Sequence, residues 1–354
     1  MQKYRIKDGG KIQRNKKISF IFNGKTYFWY KGDTIASALL ANGVHLIGIS
    51  FKYHRPRGII AAGVEDANCK VQLYKNDITE PNVNVTEVEL VKGLRIESQN
   101  CWPSVSFDVW AINNFLNRFF PAGFYYKTFM WPASFWEKYE FFIRHSAGLG
   151  KSPTDKDPDI YDHRYVHYDV LVVGAGISGI LAAKNAAKNN FKTLLVDENN
   201  ELGGSTIYQN GEFNKIENRS SSDLIKKEIE ELYNIKNLEV KTRTSVAAYH
   251  GYNYLLAREN LTDHLEKNDK QGKIRQRLLK IRAKKVILAT GALERPLIFN
   301  NNDRPGIMLS SAIKKYADFY GVVSGKKMFF LPIMIVLMKV RYVYIIKALK
   351  LKLL

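Results

Sequence analysis

The chain has 354 residues, room for two or three domains at roughly 100–200 residues each. An apolar fraction of 45% supports a buried core, and a net charge of +20 admits an acidic partner, a membrane surface or nucleic acid. The basic residues are scattered, with no aromatic-interleaved stripe and no nucleic-acid motif. The two cysteines, Cys69 and Cys101, are too few for a four-cysteine zinc site or a four-thiolate iron–sulfur cluster.

No apolar h-region follows the N-terminal Met1-Gln-Lys-Tyr-Arg, so no signal peptide is expected. Sparse cysteine fits a reducing cytoplasm. Ile18–Phe22 is apolar and β-prone, Asn23-Gly24 suits a type I′ hairpin turn, and Tyr27–Tyr30 supplies the return strand. Gly32-Asp33-Thr34 offers an N-cap for a helix over Ile35–Ala41 that ends near Gly43. A further strand falls around Lys70–Tyr74. Hairpin, helix and strands predict a β-grasp, ferredoxin-like module over residues 1–98. Plant-type ferredoxins carry C-x4-C-x2-C after that helix. The stretch Ser50-Phe-Lys-Tyr-His-Arg-Pro-Arg-Gly58 has no cysteine, so the module is expected to be cluster-free, with no Fe–S cluster in this chain.

Residues 99–167 are expected to connect two domains. The part from 100 to 147 is dense in Trp, Phe and Tyr, as in Gly123-Phe-Tyr-Tyr-Lys-Thr-Phe-Met-Trp-Pro132, and reads as packing or interface. Gly148–His167 is polar and reads as a linker.

Residues 168–327 read as an incomplete Rossmann-type domain. Tyr168–Val173 is a buried strand, Ser178–Lys188 a helix and Lys192–Val196 a second strand. A β-meander follows from about Leu238 to Arg282, then a strand over Lys285–Leu288. Between the first strand and the helix lies Gly174-Ala175-Gly176-Ile-Ser-Gly179. A G-x-G-x-x-G run in this context is a dinucleotide fingerprint. Gly174 permits the tight turn, Gly176 lets the backbone approach a pyrophosphate, and Gly179 lets helix and strand pack closely. The phosphates then face the helix N-terminus. Asp197 and Glu198 end the second strand, where an acid accepts ribose hydroxyls and argues for NAD or FAD over NADP. Leu202-Gly203-Gly204 and Ala289-Thr290-Gly291 complete an order that resembles the two-dinucleotide-binding-domain flavoproteins. The histidines His45, His54, His145, His163, His167, His250 and His264 show no metal-ligand spacing, and no catalytic constellation is evident.

Several long phrases resemble the alpha subunit of heterotetrameric sarcosine oxidase. They are Gly32-Asp-Thr-Ile-Ala-Ser-Ala-Leu-Leu40, residues 50–58, Gly123-Phe-Tyr-Tyr-Lys-Thr-Phe, Ala147-Gly-Leu-Gly150 and the glycine run. The resemblance spans about residues 18 to 327. It implies a complex that demethylates sarcosine to glycine, hydrogen peroxide and a folate-bound one-carbon unit. It implies NAD in the Gly174–Gly179 site, with FAD the alternative, and FMN or FAD held with a partner beta subunit. It further implies beta, gamma and delta type partner subunits, with sarcosine and tetrahydrofolate as substrates of the complex. The family's alpha subunit continues into a folate-binding domain, so this chain is expected to be a fragment, inactive alone. Other readings are an FAD-binding subunit of another amine or opine oxidoreductase, and a non-enzymatic basic membrane-surface or scaffold protein.

The tail 328–354 is rich in Leu, Ile, Met and Lys, with no acid and no glycine. Phe329–Met338 is too short for a spanning helix, so a membrane role is not expected. Back-translated with AT-rich codons and shifted by two nucleotides, the tail reads as strand, turn, helix and strand. It is therefore expected to be out of frame.

Overall fold

The computed structural model describes all residues except 1, 76–77, 120–122, 124–128, 149, 209–214, 217–218, 271, 328 and 330–354. The aromatic phrase at 124–128 and nearly all of the C-terminal tail thus lie outside the described residues. The chain is α/β and forms two compact units, one of residues 1–157 with 294–354 and one of residues 158–293.

The first unit is built on a five-stranded sheet. Strands β1 (Gln13–Phe22) and β2 (Lys25–Lys31) form the expected hairpin. Asn23 and Gly24 both hold positive φ, 48° and 74°, as a type I′ turn requires. Helix α1 (Ile35–Ala41) starts at Thr34, whose hydroxyl accepts the Ser37 N–H at 3.2 Å while the Ser37 hydroxyl accepts the Thr34 N–H at 3.0 Å. Every residue of α1 is buried. The short pair β3 (Gly48–Ile49) and β4 (Pro56–Arg57) flanks the loop 50–55. With β5 (Lys70–Lys75), β6 (Ile78–Asn84) and β7 (Arg95–Ser98), the sheet order is β2-β1-β7-β5-β6. Phe20, Phe22, Trp29, Leu39, Leu40, Val71 and Ile96 fill its core.

Residues 294–323 return to this unit. Leu309 donates its N–H to the Ile60 carbonyl at 2.8 Å, and the Tyr316 hydroxyl donates to the Ala61 carbonyl at 3.0 Å. The short helix α5 (Ser310–Lys315) lies between these contacts. Several described rings of the aromatic segment are exposed. Phe115 and Trp131 are 86% and 85% exposed, and Trp102, Phe107, Phe119 and Phe142 are also largely uncovered. The turns over Val109–Phe119 bury no residue, so the ring surface there faces solvent. Helix α2 (Trp136–Ala147) closes on Gly148 at φ 64°, where a Cβ would meet the Asn100 backbone.

The second unit is a six-stranded mixed sheet. Strand β8 spans Ile160–Val173, so it starts inside the expected linker. Its outer half pairs in parallel with the later strand Ile274–Leu288, and cross-strand charges fix that pairing. Arg277 donates to Asp162 at 2.8 Å, and Arg275 to Asp159 at 2.9 Å. Helix α3 (Ile177–Lys188) and β9 (Thr193–Val196) complete the first βαβ turn. Helix α4 (Ser221–Leu232) leads to β10 (Leu238–Lys241), and β11 (Thr244–His250), β12 (Tyr254–Asn260) and β13 (Ile274–Leu288) form the meander. The last meander strand and the expected strand at 285–288 are therefore one strand. The order β10-β9-β8-β13-β12-β11 places β8 centrally, over a core of Tyr168, Leu171, Leu194, Val196, Leu255, Leu279 and Ile281.

Candidate dinucleotide-binding site

Four turns meet at the C-terminal ends of β8, β9 and β13, all within the second unit. The first is the glycine turn after β8. Gly174 stands at φ 96°, and a Cβ there would collide with the Ala289 backbone at the end of β13. The Ala289 N–H donates to the Val173 carbonyl at 2.8 Å, which holds these two strand ends side by side. Gly179, buried in α3, lies so close to the Gly174 carbonyl that no Cβ fits. Gly176 is different. Nothing lies within 4 Å of a Cβ built on it, so the space in front of its backbone is open. It is the N-cap of the 12-residue α3 and has no side-chain capping bond. The first N–H groups of α3 thus face that opening without a side-chain acceptor, the arrangement that suits an anion.

The second turn follows β9. Asp197 is buried, and its carboxylate accepts the Ala175 N–H at 2.6 Å on Oδ2. On Oδ1 it accepts the Asn199 backbone N–H at 2.8 Å and the Asn199 Nδ2–H at 3.0 Å. Glu198, next along, is exposed. The third turn is Leu202-Gly203-Gly204. Gly203, at φ 107°, donates its N–H to the Ala175 carbonyl at 2.7 Å. A Cβ on Gly204 would reach 3.1 Å from the Gly176 Cα. The fourth is Thr290-Gly291, exposed, with Gly291 at φ 75° and nothing within 4 Å of a Cβ.

Ala175 is the hub of this arrangement, with its N–H on Asp197 and its carbonyl on Gly203. Of the residues singled out in the sequence, Gly174, Ala175, Gly176, Asp197, Glu198, Gly203, Gly204, Thr290 and Gly291 lie on these four turns, and Gly179 lies in the first turn of α3 behind them. Asn199 was not among them. The signal for it is an Asx residue two places after the acid, close enough to bond back to it.

The comparisons with known proteins agree with the geometry. Residues 168–324 match a family described as pyridine nucleotide-disulphide oxidoreductase. The chain is 43% identical over 92% of its length to sarcosine oxidase subunit alpha of Rhizobium meliloti (strain 1021), and spans 33% of that protein. It is 34% identical over 90% of its length to sarcosine oxidase subunit alpha of Corynebacterium sp. (strain U-96), and spans 28% of it. The chain is a homologue of sarcosine oxidase subunit alpha. This alpha-type homologue therefore spans about a third of the length of the curated relatives it matches. A solved L-proline dehydrogenase from P. horikoshii shares its fold, with TM-score 0.60 at 20% identity, over 92% of this chain and 50% of that one.

One comparison corrects the reading of the N-terminal module. Residues 15–101 match a family described as a 2Fe-2S iron–sulfur cluster binding domain. The expectation of a module without a cluster is overturned at that level. It rested on the absence of cysteine from residues 50–58 and on a total of two cysteines, and a ligand count does not test membership of a fold family. Both cysteines lie inside the matched segment, Cys69 buried and Cys101 partly so. Burial pushes the Cys69 thiol well up, and the Cys101 thiol up to about 11. These two protonated thiols do not make a four-thiolate set, and among the described residues no group of three or more His, Cys, Asp or Glu is placed to hold a metal. No step of the chemistry is assigned to a cluster.

Proposed function

We propose that this chain is the dinucleotide-binding part of an alpha-type subunit in a sarcosine-oxidase-like complex. The complex would convert sarcosine, dioxygen and tetrahydrofolate to glycine, hydrogen peroxide and a methylene-bearing folate, with beta, gamma and delta type partners. The observation that carries the reading is the meeting of four turns around the open backbone of Gly176, in a chain homologous to alpha subunits over 92% of its length.

NAD is the expected occupant, with FAD the alternative. A bound nicotinamide or flavin supplies two-electron chemistry, and the protein supplies its placement. Gly174 and Gly179 bring the glycine turn against α3 and β13. Gly176 and the first N–H groups of α3 would receive the pyrophosphate, with Gly203 and Gly204 lining its flank. Asp197 would accept the ribose hydroxyls, and Glu198 adds negative charge that disfavours a 2′-phosphate. Thr290 and Gly291 would bring backbone up to the dinucleotide from β13.

Titrating the folded full chain with NAD+, NADP+ and FAD tests this reading. Saturable binding of NAD+ or FAD, weaker for NADP+, is expected. A folded chain that takes none of the three would sink it. Co-expression with beta, gamma and delta type subunits, assayed for peroxide release from sarcosine, tests the assignment of the complex.

A further inference from the structure

We propose that Asn199 is the positioning residue for the ribose-binding carboxylate of Asp197, and through it sets the preference for a free 2′-hydroxyl. The proposal rests on the dinucleotide reading above and names a determinant within that site.

An aspartate side chain has a soft, two-fold terminal torsion, so an untethered carboxylate samples a range of planes. Here both oxygens are tethered. Ala175 holds Oδ2 from the glycine turn at 2.6 Å, and Asn199 holds Oδ1 twice, at 2.8 and 3.0 Å. The backbone of the turn is fastened independently of the Asn199 side chain. The Asn199 carbonyl accepts the Arg243 N–H at 2.9 Å, and the Asp197 carbonyl accepts the Thr244 N–H at 2.8 Å. Asn199 itself is exposed. Its amide therefore adds little to the core, and its Nδ2–H donates to the acid.

The chemistry of that amide matters. A carboxylate offers about four acceptor positions, so three bonds leave one for a ribose hydroxyl. The amide is a neutral donor. It orients Asp197 without cancelling its charge, whereas a lysine or arginine in its place would do both. An oriented, still anionic Asp197 beside the exposed Glu198 accepts a hydroxyl and repels a 2′-phosphate of about −1.5 to −2 charge.

The test compares the full chain with Asn199→Ala, Asn199→Ser and Asn199→Asp, using NAD+ and NADP+ as probes. In Asn199→Ala, NAD+ affinity should fall about tenfold, one charge-assisted hydrogen bond's worth, and the NAD+ over NADP+ ratio should shrink. Melting temperature should not move. Asn199→Ser keeps a hydroxyl donor and should recover part of both. Asn199→Asp sets a second carboxylate against Oδ1 of Asp197. The pair then shares a proton with a raised pKa, so NAD+ affinity should fall as pH rises through a range where the wild type is flat. A purely structural role for Asn199 would move neither the ratio nor the pH profile. If wild type binds NAD+ and Asn199→Ala matches it in affinity and ratio, this proposal alone is overturned. If the folded wild type binds no dinucleotide, the underlying reading falls with it.

Discussion

Gly179 sits against the carbonyl oxygen of Gly174, with no room between them for a single carbon. Gly176, two residues after that carbonyl, faces open space. The two glycines therefore answer to different demands. Gly179→Ala forces backbone apart at the first turn of α3 and should cost about 1–3 kcal/mol of stability, read by thermal melting. Gly176→Ala meets nothing and keeps an ordinary φ of −70°, so stability should change by only about 0.5 kcal/mol. Its new methyl would stand where a pyrophosphate approaches, and dinucleotide affinity should drop about tenfold or more. Equal binding by Gly176→Ala and wild type would argue that the anion sits elsewhere.

Asp197→Ala removes the acceptor of the Ala175 N–H. Leaving that donor unmet should cost about 1–3 kcal/mol, with loss of dinucleotide binding measured on the folded fraction. A variant that binds NAD+ normally would remove Asp197 from the site.

In the first unit, Asp303 accepts two bonds from Arg55, each 2.7 Å, and pairs with Arg57 at 2.6 Å. The hydrogen bond from Arg55 leads in holding its carboxyl down to about 2. A depressed acid stabilises the folded state above its unfolded pKa and loses that contribution as pH falls. The expected window runs from about pH 4 down to about pH 2, and the effect is about 1 kcal/mol after solvent screening. Asp303→Asn should flatten that part of the acid-unfolding curve. An unchanged curve would show the pair to be energetically silent.

The Arg5–Asp33 pair is buried, with Asp33 also accepting the Tyr30 N–H at 2.9 Å and the Ser37 hydroxyl at 2.6 Å. Arg5 further donates to the Tyr320 carbonyl at 2.8 Å, so it joins the chain's start to the returning segment. Arg5→Met strands a buried carboxylate and should destabilise by about 3–5 kcal/mol. Denaturant melts of the double variant with Asp33→Asn would show how much of that cost is the unpaired charge.

The exposed rings at Phe115 and Trp131 should make the isolated chain prone to association. Replacing both with serine should raise the soluble fraction, seen by light scattering, with little change in melting temperature. A fall in melting temperature of many degrees would mean that these rings are packed in solution.

Local chemistry made much of this protein legible before any coordinates. Asn23-Gly24 needs a type I′ turn, Thr34 can only cap a helix that starts after it, and a glycine run between a buried strand and a helix has few other uses. Each is decided by neighbours a few residues apart. What local pattern does not carry is pairing across long separations. The stretch from Ile160 reads as linker because its outer half is polar, and only Arg275 and Arg277, more than a hundred residues away, give Asp159 and Asp162 their partners across the sheet. The return of residues 294–323 to the N-terminal module has the same cause, since Leu309 and Tyr316 find Ile60 and Ala61 only in three dimensions. The sequence by itself determined which turns could face a dinucleotide. The tertiary structure decided that Ala175 joins the turns of Asp197 and Gly203, that Asn199 holds Asp197, and that rings such as Phe115 and Trp131 stay uncovered, because those outcomes depend on which surfaces the long-range sheet pairing brings together.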